Sequence, residues 1–199
     1  MRNLFLTALL IAVIAVSNAG AQGQTAVQPQ KMHPALLVID IQNAFMPMIP
    51  EREKEMGLYV INAYIDLFRK YNFPVIRIYH SSPEEGPAQG TKEFEFPDTI
   101  KINPDDPQVI KTYSNAFTKT DLAKILREKN CNTLFLCGLS AVGCVLATYI
   151  GAEDNDFQPF MIQNGIMSHN SEYTDQIEQI FNAIGYDVVS TMLKYAEKP

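Results

Sequence analysis

Residues 35–41, Ala-Leu-Leu-Val-Ile-Asp-Ile, form an apolar run interrupted only by Asp40 near its end. The run is too short to be a helix on its own, and it lacks the apolar–polar alternation of a strand with one face in water. A brief stretch rich in Val and Ile suits a strand covered on both faces, as in the interior of a parallel sheet. A strand of that kind needs helices above and below it, so this one segment argues against an all-helical bundle and against a sheet open to solvent on one side.

Comparable runs recur along the chain. Pro74–His80, Gln108–Lys111, Thr133–Leu136, Phe157–Gln163 and Asp187–Val189 all read as strands. Helical patterns separate them. Residues 51–71 place Met56, Val60, Ala63, Tyr64, Leu67 and Phe68 three to four apart, and a helix capped by Thr120 and Asp121 runs through Leu122, Ile125 and Leu126 to Lys129. A third helix follows Cys144, and Glu172–Ile184 carries Ile177, Ile180, Phe181 and Ile184. The expected fold is α/β, a three-layer α/β/α arrangement around a six-stranded, mainly parallel sheet with right-handed crossovers. Residues 81–107 hold five prolines and seven acids against two lysines, with no helical period. A loop of that length is expected to act as a lid or a contact surface.

At 199 residues the chain suits one domain. Its net charge of −6, with dispersed Lys and Arg, argues against nucleic acid as a partner. The N-terminus reads separately. Arg2 precedes the apolar run Leu4–Val16, and Ser17-Asn-Ala-Gly-Ala21 follows. That pattern is a secretory signal peptide over residues 1–21, and the run is short of the ~20 residues a membrane span needs. Residues 22–34 read as a flexible lead-in and 35–199 as the folded domain. The expectation is an exported protein, periplasmic or secreted, with no stable membrane span after cleavage. Cys131 and Cys137 flank or lie within one predicted strand, too far apart for an easy bridge, and read as buried small residues.

Cys144 differs from both. The run Thr133–Leu136 leads into a turn containing Gly138, Ser140, Ala141 and Gly143, and a helix begins just past the cysteine. The helix dipole and unpaired first-turn N–H groups are expected to favour the thiolate and to hold a developing oxyanion. In open parallel sheets ligands bind beyond the carboxyl ends of the strands. Asp40, Lys111 and Cys144 all fall at such ends. A carboxylate can take the thiol proton while a lysine orients it, so the three make a proton-transfer set that needs no histidine.

These residues also carry a resemblance. Val38-Ile-Asp-Ile-Gln-Asn-Ala-Phe45, Val109-Ile-Lys-Thr-Tyr-Ser-Asn-Ala-Phe-Thr-Lys-Thr-Asp-Leu122 and Gly138-Leu-Ser-Ala-Val-Gly-Cys-Val145 resemble the three signature segments of the isochorismatase-like cysteine hydrolases. The resemblance covers residues 33–193. It implies Asp40 as general base, Lys111 as third catalytic member and Cys144 as nucleophile. It further implies a non-proline cis peptide at Leu139–Ser140, with the Ser140 and Cys144 amides forming an oxyanion hole. The reaction implied is hydrolysis of a C–N bond in a small molecule, without a cofactor. The frequent assembly of family members implies a homo-oligomer.

Departures from the family pattern narrow the reading. Metal-dependent nicotinamidases carry an Asp-x-His pair and a further histidine; here the matching stretch is Tyr79-His-Ser-Ser82, and no histidine follows in residues 81–107. No metal site is therefore expected. Ala141-Val142 stands where a Thr-Asp-like pair is usual, and Asn164-Gly165 where Asp-Ala is frequent after the fifth strand. Phe45, His80, Tyr113 and Phe117 are candidate substrate contacts, and His33 and His169 read as structural. Rival readings are vinyl-ether cleavage of the isochorismatase type, a non-catalytic binding protein of the same fold, and a thiol redox role. The last is disfavoured by the lack of a C-x-x-C pair.

Overall fold

The computed structural model describes residues 31–82 and 86–197; the proposed signal peptide, and the lead-in up to residue 30, lie outside them. Five parallel strands, β1 (Pro34–Ile39), β2 (Val75–His80), β3 (Gln108–Lys111), β4 (Thr133–Leu139) and β5 (Gln158–Met167), lie in the order β3-β2-β1-β4-β5. The order reverses between β1 and β4, because the chain builds outward from β1 on one side and then returns to build on the other. Every residue of β1 and of β4 is buried, as continuous apolar runs require.

The pleat of β1 sorts its side chains into two cores. Leu36 and Val38 pack with Ile61, Ile65 and Phe68 of α1 (Glu51–Lys70) and with Val189 and Leu193 of α5 (Tyr186–Tyr195). Ala35, Leu37 and Ile39 face the opposite core. That core includes Leu122 and Leu126 of α2 (Leu122–Glu128), Ala152 of α3 (Leu146–Asp154) and Ile177 of α4 (Ser171–Ile180). Among the described residues the result is three layers, with α1 and α5 on one face and α2, α3 and α4 on the other.

The sheet has five strands among the described residues, not six. Asp187–Val189 lies in the first turn of α5. Val189 and Leu193, four apart, are both buried, and Tyr186 meets Tyr64 edge-on at 5.5 Å. A 3.6-residue period therefore overrides the local β preference of two adjacent valines. The chain does touch the sheet edge slightly earlier, at the single bridge Ile162↔Ile184. β5 also runs on past Gln163 to Met167, so Asn164-Gly165 lies within the strand, beside a break in the β4–β5 register. Asn164 takes φ 57° there.

Three residues of segment 81–107, Phe94, Phe96 and Ile100, are buried in the core. Phe94 and Phe96 are buried and stack on Tyr79 with centroids 4.8 and 4.2 Å away. The N–H groups of Asn43 and Ala44 donate to the carbonyls of Glu95 and Glu93, tying this segment to the loop that follows β1.

Gly138 decides how β4 leaves the sheet. It holds φ +117°, and an added Cβ would stand 2.0 Å from the Ile39 carbonyl oxygen. Neither the backbone angle nor the space admits a side chain. Gly138→Ala is expected to cost at least about 2–3 kcal/mol of stability, measured by urea denaturation.

Candidate active site

The carboxyl ends of four adjacent strands converge on one cavity of about 340 Å³, lined by Asp40, Phe45, Met48, Ile49, His80, Ser114, Leu139, Ser140, Cys144 and His169. Asp40 follows β1 directly. It adopts φ 51°, and its N–H donates to Ile78 of β2 at 2.9 Å, so the chain turns sharply and presents the carboxylate beyond the strand end. Aspartate tolerates this left-handed conformation better than most side chains.

Lys111 ends β3, two strands from β1, and pairs in register with His80 on β2. Adjacent strands lie about 4.8 Å apart, so its side chain must extend across the end of β2 to reach the Asp40 carboxylate. It does so inside the protein. Lys111 Nζ donates to Asp40 Oδ2 at 2.7 Å, and the side chains are 0% and 4% exposed. The same ammonium donates to Cys144 Sγ at 3.2 Å and stands 3.4 Å from His80 Nδ1. Asp40 Oδ1 is buried with no hydrogen-bond partner, and Cys144 Sγ lies within 4.8 Å of the carboxylate.

Cys144 arrives by the turn its sequence suggests. The Leu139–Ser140 peptide is cis. The Ser140 carbonyl accepts from the N–H groups of Gly143 and Val145 at 2.9 and 3.2 Å. Residues Ala141–Val145 form one wide π-type turn, broken at Gly143 (φ −124°, ψ −108°), before α3 starts at Leu146. Burial and, after it, the Asp40 carboxylate push the thiol up to about 11, against a smaller pull from Lys111. Desolvation dominates because the sulfur is mostly enclosed. Burial likewise raises Asp40 above its ordinary carboxylate value, with Lys111 opposing. The resting pair is a protonated thiol beside a carboxylate more basic than usual.

Asp40, His80 and Cys144 bring an oxygen, a nitrogen and a sulfur within 4.8 Å of one another, a donor set of the kind that binds metals. Lys111 already stands among them at 2.7, 3.4 and 3.2 Å. A buried ammonium there supplies positive charge and repels a second cation, so these residues do not fit a metal.

The other sequence candidates divide. Phe45 and His80 line the cavity, their rings 6.3 Å apart. Tyr113 and Phe117 do not line it. Tyr113 is exposed and accepts from Lys119, and Phe117 stacks on Phe157 at 5.6 Å. His169, read from sequence as structural, lines the cavity instead. Its loop is tied to α1 through Glu53, which accepts from the Ser168 N–H, Thr174 Oγ1 and Ser171 Oγ at 2.8, 2.6 and 2.6 Å. His33 lies far from the site in the fold, 3.4 Å from Glu197 near the C-terminus. Gln42 is a further residue that sequence reading left out. It is fully buried, its amide nitrogen donates to the His80 carbonyl at 3.0 Å, and its amide oxygen accepts from the His80 N–H at 2.8 Å. A glutamine two residues past a strand-end acid, directly after the apolar run, was the available signal: a buried amide must find partners.

Comparison with known proteins agrees with this geometry. Residues 34–191 match the isochorismatase domain. An uncharacterized isochorismatase family protein of Bacillus subtilis, YrdC, is 27% identical over 80% of this chain and 90% of its own length. A probable inactive nicotinamidase of Arabidopsis thaliana is 28% identical over 62% of this chain and 74% of its own. Two solved structures share the fold. They are N-carbamoylsarcosine amidase from Thermoplasma acidophilum (TM-score 0.67, 24% identity, 77% and 95% of the two chains) and pyrazinamidase of Pyrococcus horikoshii in complex with zinc (TM-score 0.68, 23% identity, 77% and 99%). With the domain match spanning most of the chain and the three strand-end residues gathered at one cavity, this protein belongs to the isochorismatase domain family.

Proposed function

We propose that the protein is a cysteine hydrolase that cleaves a C–N bond, amide or ureide, of a small molecule through an acyl-enzyme at Cys144. One observation carries the reading: a buried ammonium holds Asp40 at 2.7 Å and Cys144 Sγ at 3.2 Å, while Asp40 Oδ1 has no other partner. A static ion pair needs no cysteine beside it and no open carboxylate oxygen. A proton-transfer pair needs both.

Asp40 takes the thiol proton as the sulfur attacks the substrate carbonyl. A thiol held near 11 is a poor acid at rest and a strong nucleophile once deprotonated, so attack and proton transfer are concerted. The Ser140 and Cys144 amides take the oxyanion, a donor of this kind being worth about 3–4 kcal/mol. The protonated Asp40 then gives its proton to the leaving nitrogen as the C–N bond breaks. Water adds to the thioester with Asp40 again as base, releasing the acid and restoring the thiol. Lys111 remains charged throughout and offsets the charge moving between oxygen and sulfur. The presence of a cysteine in this position favours C–N cleavage over vinyl-ether hydrolysis, which does not require the cysteine. The reading extends to export of the protein, supported by Arg2, the apolar run Leu4–Val16 and the small residues to Ala21.

Cys144→Ala is expected to abolish turnover of a panel of primary amides and ureides and the acyl adduct seen by intact mass; full activity in that variant would refute the reading. Asp40→Asn should lower kcat about 10²–10⁴-fold. For pH dependence, a raised carboxyl pKa keeps Asp40 protonated, and useless as a base, at pH values where an ordinary aspartate is already ionised. The acid limb of kcat/KM should therefore fall above pH 3.8, the ordinary aspartate value. For export, N-terminal sequencing of the mature protein should begin at Gln22.

A further inference from the structure

An ammonium carries three N–H donors. Lys111 has three neighbours: Asp40 Oδ2 at 2.7 Å, Cys144 Sγ at 3.2 Å and His80 Nδ1 at 3.4 Å. The first two belong to the proposed reaction. The third has no place in it, yet it is built with care. Gln42 grips both backbone polar groups of His80 with a fully buried amide, and the Phe45 ring lies 6.3 Å from the imidazole. Because Lys111 reaches Asp40 by passing the end of β2, the residue paired with it in register there, His80, is the one able to steer it.

We infer that His80 is a positioning residue: its Nδ1 accepts the third hydrogen of the Lys111 ammonium and so aims the other two at Asp40 and Cys144, with Gln42 holding His80 in place. This rests on the catalytic reading above. A lysine side chain is flexible, and an ammonium with one hydrogen lacking an acceptor inside the protein turns to find one. Rotation about the last bond moves the remaining hydrogens off the carboxylate and the sulfur together. An acceptor on the far side prevents this. The contact also fixes the imidazole chemistry: a ring nitrogen facing an ammonium at 3.4 Å must be the unprotonated one, so the proton sits on Nε2.

Both halves can be tested without a known substrate. In the wild-type protein labelled with ¹⁵N-histidine, NMR should show His80 with Nδ1 unprotonated and Nε2 protonated; the opposite tautomer, or a doubly protonated ring at pH 7.5, overturns the inference. This measurement needs no variant to fold. In the second test, peptide mapping follows the rate of Cys144 alkylation by iodoacetamide, which forms a C–S bond and releases iodide and the thiol proton. His80→Leu removes the acceptor and should slow alkylation about 10–100-fold, the range one hydrogen bond to a charged group carries. His80→Asn sets Oδ1 where the histidine has Nδ1 and should restore the rate to within about threefold. Wild-type alkylation in His80→Leu, or no rescue by His80→Asn in a folded protein, overturns it. Failure of the hydrolase reading would instead appear as turnover that survives Cys144→Ala.

Discussion

The ion pair between Lys111 and Asp40 is the constraint on which the site depends. Both side chains are almost fully buried, and each is tolerable there only because the other is 2.7 Å away. Removing one partner of such a pair leaves an uncompensated charge and costs about 3–5 kcal/mol. The sheet is arranged to make the pair. β1 ends in a left-handed aspartate, β3 ends in a lysine, and the strand between them is short enough for the lysine to cross its end. A cysteine is then brought to the same ammonium by the turn after β4. Charge balance, reach and access meet at the point where the strand order reverses.

The chemistry follows from how that charge is shared. A cysteine activated by a strong cation alone would rest as a thiolate. Here the neighbouring carboxylate and the low polarity of the surroundings keep the proton on sulfur, at about 11, and keep Asp40 basic. In the proposed reaction the proton would leave sulfur only as a carbonyl is attacked. The cavity walls add little charge of their own. Phe45, Met48, Ile49 and Leu139 supply apolar surface, and Ser114, His80 and His169 supply polar contacts. Such a lining suits a small molecule bound mainly by shape and burial.

Two loops have structural fastenings that their sequences do not advertise. Segment 81–107 delivers Phe94 and Phe96 onto Tyr79 and braces the turn after Asp40. Glu53, on the first turn of α1, accepts three hydrogen bonds from the β5–α4 loop and α4, and so sets where His169 stands. In both cases the polar or proline-rich composition that marks a loop also conceals a few residues that fasten it. The α5 segment shows the opposite error. Val188-Val189 carries strong local β preference, but the buried positions at 189 and 193 belong to a helix, and tertiary packing decides between them.

By itself the sequence determined the layer architecture, because unbroken apolar runs can be buried only between helices. It also singled out Asp40, Lys111 and Cys144, at or just beyond strand ends, which the fold brings close together. Short-range pattern carries that information. What the tertiary structure alone decided is every relation across strands: that Lys111 passes His80 to reach Asp40, that Gln42 holds His80 from the loop after β1, and that His169 rather than Tyr113 or Phe117 lines the cavity. It also decided the protonation of Cys144. Burial is a property of everything packed around a group, and a local turn motif does not reveal it.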